Sequence, residues 1–311
     1  MPFVKNKFNI EKPTMAFLFV MKALNFRQGQ AQSHIARGRL WIDGISMVQN
    51  NRIISGDIEL IYFEASGRGN KPIFENKDFM LFDKPSGVLV HPRTMLTPYS
   101  MLDEVRTYGG DNANGCHRID METSGLFLAS KTKKSESGLK GLFQDRNIRK
   151  SYLAWVDGEI KESFEVNARL KVKDKNSTLK TKHKVLIDEE GKTARTFFKP
   201  IFYNNMLSST LVECFPYTGR THQIRVHLFH VKHPIIGDPI YGTSYEASDI
   251  YLNGDMSKAQ REIETGASRL LLHAQNLIFN YKNIKYILET RIDFKKMEKF
   301  IIDKNIRKFN S

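Results

Sequence analysis

Three short segments concentrate the side chains that could do chemistry. In His117-Arg118-Ile119-Asp120-Met121-Glu122-Thr123-Ser124-Gly125, a carboxylate, a guanidinium and an imidazole lie between a Gly/Asn-rich loop and an apolar stretch. A carboxylate in a partly desolvated pocket can attack carbon or abstract a proton. The same residues also suit a plain turn in which Asp120 or Thr123 bonds the backbone. The second segment runs Pro216-Tyr217-Thr218-Gly219-Arg220-Thr221-His222-Gln223-Ile224-Arg225-Val226-His227. A Thr-Gly turn there opens a helix whose free N–H groups can meet an anion, with Arg220 at the mouth of the turn. An arginine at a helix start is otherwise an ordinary surface charge. In the third, Lys150 to Gly158, residues Tyr152, Ala154 and Val156 share one face at period two. Tyr152 is then a core residue, or a platform for stacking a base if that face borders a pocket.

Two other patterns carry less. His227, His230 and His233 recur near His222, but no carboxylate or cysteine completes a zinc set beside them, so no metal is expected. Cys116 stands next to His117, yet adjacent residues of a strand point apart, which argues against a thiol nucleophile served by that histidine.

The elements that must position these groups divide at a polar stretch. Residues 1–64 are read as a small module, 65–71 as a linker, and 72–311 as the domain bearing the three segments. In the module, Thr14 is expected to cap a helix to about Phe26, a second helix covers Gln28 to Ala36, Leu40–Ile42 and Ile45–Val48 form a hairpin about Asp43-Gly44, and a strand follows at Ile58–Phe63. No acidic residue occurs from Thr14 to Ile42, where Lys22, Arg27, Arg37 and Arg39 fall, which suits phosphate contact. In the larger domain, strands are expected at Phe79–Asp83, Val88–Val90, Leu126–Ala129, Tyr152–Val156, Thr196–Phe202 and Leu207–Phe215. Helices are expected at Ser100–Thr107, Lys133–Gln144, His222–Val231 and Lys295–Lys308. The mixture predicts an α+β fold on a mostly antiparallel sheet, with flanking helices and a central cleft. Alternating apolar and basic residues at Ala168–Lys173 and Leu179–Lys184 predict a hairpin whose basic face, with Lys171, Lys173 and Lys182, touches RNA or else blocks strand pairing at an edge.

The bulk numbers fit this. Forty-eight Lys and Arg against 34 Asp and Glu give a net charge of +14, which favours a polyanionic partner. Two cysteines, no leader-like start and no apolar run long enough to cross a bilayer point to a cytoplasmic protein in a reducing compartment.

The segments HRIDMETSG, KSYLAWVDG and PYTGRTHQIRVH, with DKPSGVLVHP at 83–92, HPIIGDPIYG at 233–242 and RLLLHAQNLIF at 269–279, resemble in order the motifs of the RluA family of pseudouridine synthases. The helix–helix–hairpin order with IARGRLWIDG at its join resembles the S-four-type RNA-binding domain. Ile119 stands where the family usually has leucine, and the polar stretch 243–267 has no clear counterpart.

The resemblance implies a catalytic Asp120 paired with Arg220, Tyr152 stacked on the target base, and Leu272 packed against the pyrimidine. It implies that Arg118 fills the gap left by the extruded base, and that His117 and Thr123 lie at the substrate. The implied reaction isomerises uridine to pseudouridine in structured RNA: ribosomal RNA, of the large subunit first, with transfer RNA as the alternative. It needs no redox cofactor, because the bond from ribose to ring nitrogen is cut and remade to carbon without net oxidation. A monomer without membrane or obligate protein partner is expected. The rival from another class is a non-catalytic RNA-binding ribosome-assembly factor, which would not need Asp120; a hydrolytic RNase would want paired histidines or a carboxylate metal cluster.

Overall fold

The computed structural model describes residues 2–173 and 185–302 and divides into two compact units. The first comprises the residues up to Gly67 with Pro92–Asp103; the second comprises Arg68–His91 and the residues from Glu104 onward. The expected 65–71 linker contains the first crossing, but 92–103 groups with the first unit.

The first unit is β1 (Phe3–Met15), α1 (Ala16–Leu24), α2 (Gln28–Ala36), β2 (Leu40–Ile42), β3 (Ile45–Met47) and β4 (Ile53–Phe63). Its sheet runs β1-β4-β2-β3. The opening residues, for which no element was expected, form a long strand antiparallel to β4, from Phe3↔Phe63 to Met15↔Ile53. Phe8 and Ile10 turn inward onto the core of Val20, Ile35, Leu40 and Ile58, while Asn9 between them and Lys5, Lys7 and Lys12 to either side are exposed. Thr14 is thereby drawn into β1, and α1 starts at Ala16 without a side-chain cap. Its first N–H groups instead donate to the Arg52 and Asn50 carbonyls. The hairpin turns on Asp43 and Gly44, both at positive φ, as a tight two-residue connection requires.

The second unit carries a ten-stranded, mostly antiparallel sheet. Its elements begin with β5 (Phe74–Glu75), β6 (Phe79–Lys84), α3 (Met101–Gly109, of which it holds the residues from Glu104), β7 (Asn114–Gly115), β8 (Ser124–Ser130), α4 (Lys133–Gln144) and β9 (Arg149–Asp157). They continue with β10 (Phe164–Asn167), β11 (Leu170–Val172), β12 (Val185–Ile187), β13 (Arg195–Asn204), β14 (Ser209–Pro216) and α5 (Gln223–His230). Last come α6 (Tyr245–Asn253), α7 (Lys258–Thr265), β15 (Leu272–Tyr281), β16 (Ile284–Glu289) and a 3-10 turn over Phe294–Phe300. The main order is β10-β13-β14-β9-β15-β8-β6-β5, with β16 on β15 and β7 on β8; the β15–β8 pair is parallel.

Period-two alternation sorts the central strands between two layers. Ala154, Val156, Val212, Cys214 and Leu272 pack beneath Ile224 and Leu228 of α5. Leu81, Leu126, Leu128 and Ala274 pack with Leu139 of α4. Tyr152 adjoins both clusters, so it lies where the two helical covers meet. On the opposite face Trp155 and Leu271 pack with Ile236, Ala267 and Phe294.

Several expectations need correction. Val88–Val90 is not a strand, because the Pro85 and Val88 carbonyls turn inward to accept from the Lys84 amine. The strand pairing with β11 is Val185–Ile187, later than expected, and Leu179–Lys184 with Lys182 lies outside the described residues. The terminal helix is a short 3-10 turn as far as Phe300. The polar stretch 243–267 forms α6 and α7, each capped by a serine, Ser244 and Ser257. No helix among the described residues is long and apolar enough to cross a membrane.

Candidate active site

The HRIDMETSG segment leaves β7 and enters β8 through a tight turn, closed where the Thr123 N–H donates to the Asp120 carbonyl at 3.2 Å. The plain-turn reading therefore describes the backbone, but the Asp120 side chain does not serve it. Its carboxylate lines a cavity of about 390 Å³ and is 26% exposed. Tyr152 from β9 and Leu272 from β15 line the same cavity, as do His117, Arg118, Thr123 and Arg220.

Asp120 is held from α5. Arg225 Nη1 lies 3.3 Å from Asp120 Oδ2, and the guanidinium is itself fixed by a two-pronged contact, Nε and Nη2 each 2.7 Å from the Asp238 carboxylate. Asp238 is fully buried and also accepts from the Ile240 and Tyr241 N–H groups. Burial opposes both charges; Arg225 and these hydrogen bonds nevertheless hold Asp238 below the usual carboxylate range. Asp238 first, and Asp120 after it, hold the Arg225 guanidinium above its ordinary value. The basic partner of Asp120 is thus Arg225 and not Arg220. The reason is the helix start. Gln223 Oε1 accepts from the Arg220 N–H and so leaves Arg220 in the turn before α5, where its Nε donates to the Thr193 carbonyl. Arg225, inside the first turn of α5, points inward with 2% exposure.

His222 takes a left-handed backbone, φ 54°, just ahead of α5. This sets its Nδ1 2.9 Å from the Tyr241 hydroxyl and its Nε2 3.8 Å from Asp120 Oδ2. The Tyr241 ring also lies 5.1 Å from the Arg225 guanidinium. Burial, and secondarily the Asp120 charge, push the Tyr152 phenol well above its usual range, so it stays a neutral donor.

The Asp120 loop is clamped from two sides. Lys84, fully buried, donates to the carbonyls of Pro85, Val88 and Met121 at 2.7–2.9 Å. Burial lowers its amine to about 7 against the pull of Glu122 and Asp120. From the other side, Glu122 accepts from the Tyr251 hydroxyl of α6 at 2.8 Å and from Arg261 Nη2 of α7 at 2.6 Å.

The remaining expected residues separate. The His117 ring stacks on Phe143 at 4.4 Å, and its Nε2 accepts from the Leu128 N–H. Burial lowers it to about 3, so it is a neutral wall of the cavity. The clustered histidines diverge: His222 to Tyr241, His227 Nδ1 to Thr196 Oγ1, His233 Nδ1 to the Asp157 carbonyl. Cys116 is buried, its thiol pushed up to about 12. Lys22, Arg27 and Arg37 are exposed on the first unit, while Arg39 lies 5.0 Å from the Phe3 ring. Lys171 on β11 pairs with Asp188 and Glu190, which neutralises part of the expected basic face; Lys173 follows β11 directly. Arg225, Asp238, His222 and Tyr241 were missed as site residues, although each sits in a segment already singled out. The available signal was helical: a helix opening at Gln223 turns Ile224, Arg225 and Leu228 to one side.

The family profile described as RNA pseudouridylate synthase matches residues 78–230. Over 286 residues, 92% of this chain and 94% of the relative, the chain is 38% identical to an uncharacterized RNA pseudouridine synthase of Helicobacter pylori. It is 35% identical to the ribosomal large subunit pseudouridine synthase D of Zymomonas mobilis, covering 56% of each chain. It is 36% identical to the mitochondrial tRNA pseudouridine(32) synthase of Saccharomyces cerevisiae, over 63% of this chain and 42% of that one. Among solved structures it resembles human RNA pseudouridylate synthase domain containing 1 with a TM-score of 0.56, at 23% identity, over 73% of this chain and 86% of the other, which supports the fold.

Proposed function

Because this chain belongs to the RluA family of RNA pseudouridine synthases, we propose that Asp120 is its catalytic carboxylate and that it isomerises uridines of ribosomal RNA, in the large subunit. The observation that carries the first part is the buried Asp238–Arg225–Asp120 chain, which aims one carboxylate into a cavity walled by Tyr152 and Leu272. A uridine stacked in its strand must be flipped out to reach such a cavity, and an aromatic platform recovers part of the unstacking cost of a few kcal/mol. Asp120 then attacks the sugar carbon, and is displaced again when the new carbon–carbon bond forms, or removes the proton beside it and returns that proton in the same step. The N–C bond to ribose breaks, the uracil turns between Tyr152 and Leu272, and carbon takes the place of nitrogen. The hydrogen leaves that carbon and nitrogen gains one, so electrons balance. Arg225 fixes the carboxylate orientation throughout, and Arg118 takes the place of the extruded base.

The ribosomal target is supported by the bacterial relatives named for the large subunit. A transfer RNA target is the second reading, favoured by the yeast relative. The first unit, with Lys22, Arg27 and Arg37 exposed, is proposed to dock structured RNA in the cytoplasm. The test is to map pseudouridine in ribosomal and transfer RNA from cells lacking the protein, then after return of wild type or Asp120→Asn. Wild type should restore sites in 23S-type RNA. Asp120→Asn should restore none yet bind the RNA with near-native affinity, since it keeps shape and loses charge. Restoration by Asp120→Asn would leave a non-catalytic RNA-binding protein as the reading.

A further inference from the structure

A second concavity of about 230 Å³ adjoins the uridine cavity and shares Phe143, Lys150 and Arg220 with it. Its lining of nine residues includes three cations, Arg146, Lys150 and Arg220, and no carboxylate. We infer that this compartment receives the phosphodiester next to the flipped uridine, with the neighbouring nucleotide against Tyr217; the inference rests on the first cavity holding uridine.

Three features converge on an anion. Arg146 follows the C-terminus of α4 at φ 59°, a left-handed conformation that favours glycine, and its long cationic side chain enters the lining from there. The Lys150 amine lies against the Gly219 backbone, where an added Cβ would stand 3.5 Å from its Nζ. That places it at the junction of the two spaces. Burial, and then the neighbouring Arg146, push this amine below its ordinary value, the response of a cation surrounded by low dielectric and like charge. A phosphate supplies the missing countercharge, and a strand whose base enters the first cavity must lead its own phosphates past the adjoining one. Tyr217, 51% exposed, adds the aromatic rim that single-stranded RNA uses; the Arg195 guanidinium 4.8 Å from its ring is paired with Glu165 and adds no free charge.

The test uses the full chain carrying Asp120→Asn, so that nothing turns over, and the pentanucleotide AAUAA, whose single uridine fixes the register. Two copies carry a neutral methylphosphonate on the 5′ or the 3′ side of that uridine. One of them should bind about tenfold more weakly than the native strand, as loss of a charge-assisted contact requires. Lys150→Gln with Arg146→Asn should lose as much on native AAUAA, show no further loss on the neutral copy, and flatten the dependence of log affinity on log salt by about one unit or more. Lys150→Arg should restore the discrimination, which a merely structural lysine would not do. Equal binding of all three strands by the parent protein, full discrimination retained by the double variant, or no measurable binding of AAUAA overturns the inference. AACAA separates the two readings: if it binds as well as AAUAA, the first cavity does not select uridine, whatever the phosphate analogues show.

Discussion

Removing the Arg225 guanidinium would strand Asp238, fully buried, without its countercharge. Breaking such a pair from one side costs about 3–5 kcal/mol, so Arg225→Ala should lower the melting temperature by about ten degrees as well as the rate. Arg220, which lines the cavity and leans on the Thr193 carbonyl, has no such debt, and Arg220→Ala should melt close to wild type while weakening RNA binding. Scanning calorimetry of both variants decides between them; equal melting would show that the Asp238–Arg225 pair does not anchor the site. The two arginines also mark the limit of what a sequence discloses. Asp120, Tyr152 and Leu272 were legible from motif context, and they do surround one cavity. Which arginine faces Asp120 turns on the bend ahead of α5, where His222 takes a left-handed backbone and Gln223 Oε1 holds the Arg220 N–H, a geometry that residue types alone do not disclose.

At the level of elements, the close approach of β8 and β15 hangs on Gly125. A Cβ there would stand 2.3 Å from the Ala274 carbonyl oxygen and 2.6 Å from its nitrogen, on a backbone at φ +102°. Gly125→Ala should therefore force the parallel pair apart and abolish cooperative unfolding. Gly87→Ala, also at positive φ but facing open space, should cost only about 1–2 kcal/mol; denaturant titrations compare them. The helices α6 and α7 make a second prediction. Burial alone would raise the Glu122 carboxyl, but Arg261, by its charge and then its hydrogen bond, and Tyr251 hold it below its ordinary 4.5. A depressed carboxyl contributes stability that is fully present above that unfolded value and is lost as pH falls through the folded one. Stability followed from pH 6 down to pH 3 should thus drop less steeply in Arg261→Met than in wild type; parallel curves would show that the clamp is energetically idle. Helix α4 was legible to the residue, because Thr132 caps it and an amphipathic pattern fills it. β1 and the roles of α6 and α7 were not, since a strand rich in lysine and a polar helix acquire their meaning only from β4 and Glu122.

For the whole molecule, removing residues up to 64 should weaken RNA binding more than it slows bound turnover, and should flatten the salt dependence of affinity, since the exposed Lys22, Arg27 and Arg37 go with it. Equal salt slopes for the two forms would show that the first unit holds no phosphate. The strand order has a consequence for how the enzyme comes into being. β15 lies between β9 and β8, yet only β16 follows it among the described strands. On the ribosome, β8 and β9 therefore emerge early and wait with unpaired edges for a partner more than a hundred residues downstream, a long-range closure of the kind that slows folding. Leu272 arrives on that same strand, so the cavity lacks that side until β15 has been made. The interval before β15 emerges is thus when the unpaired edges of β8 and β9 are open to wrong partners.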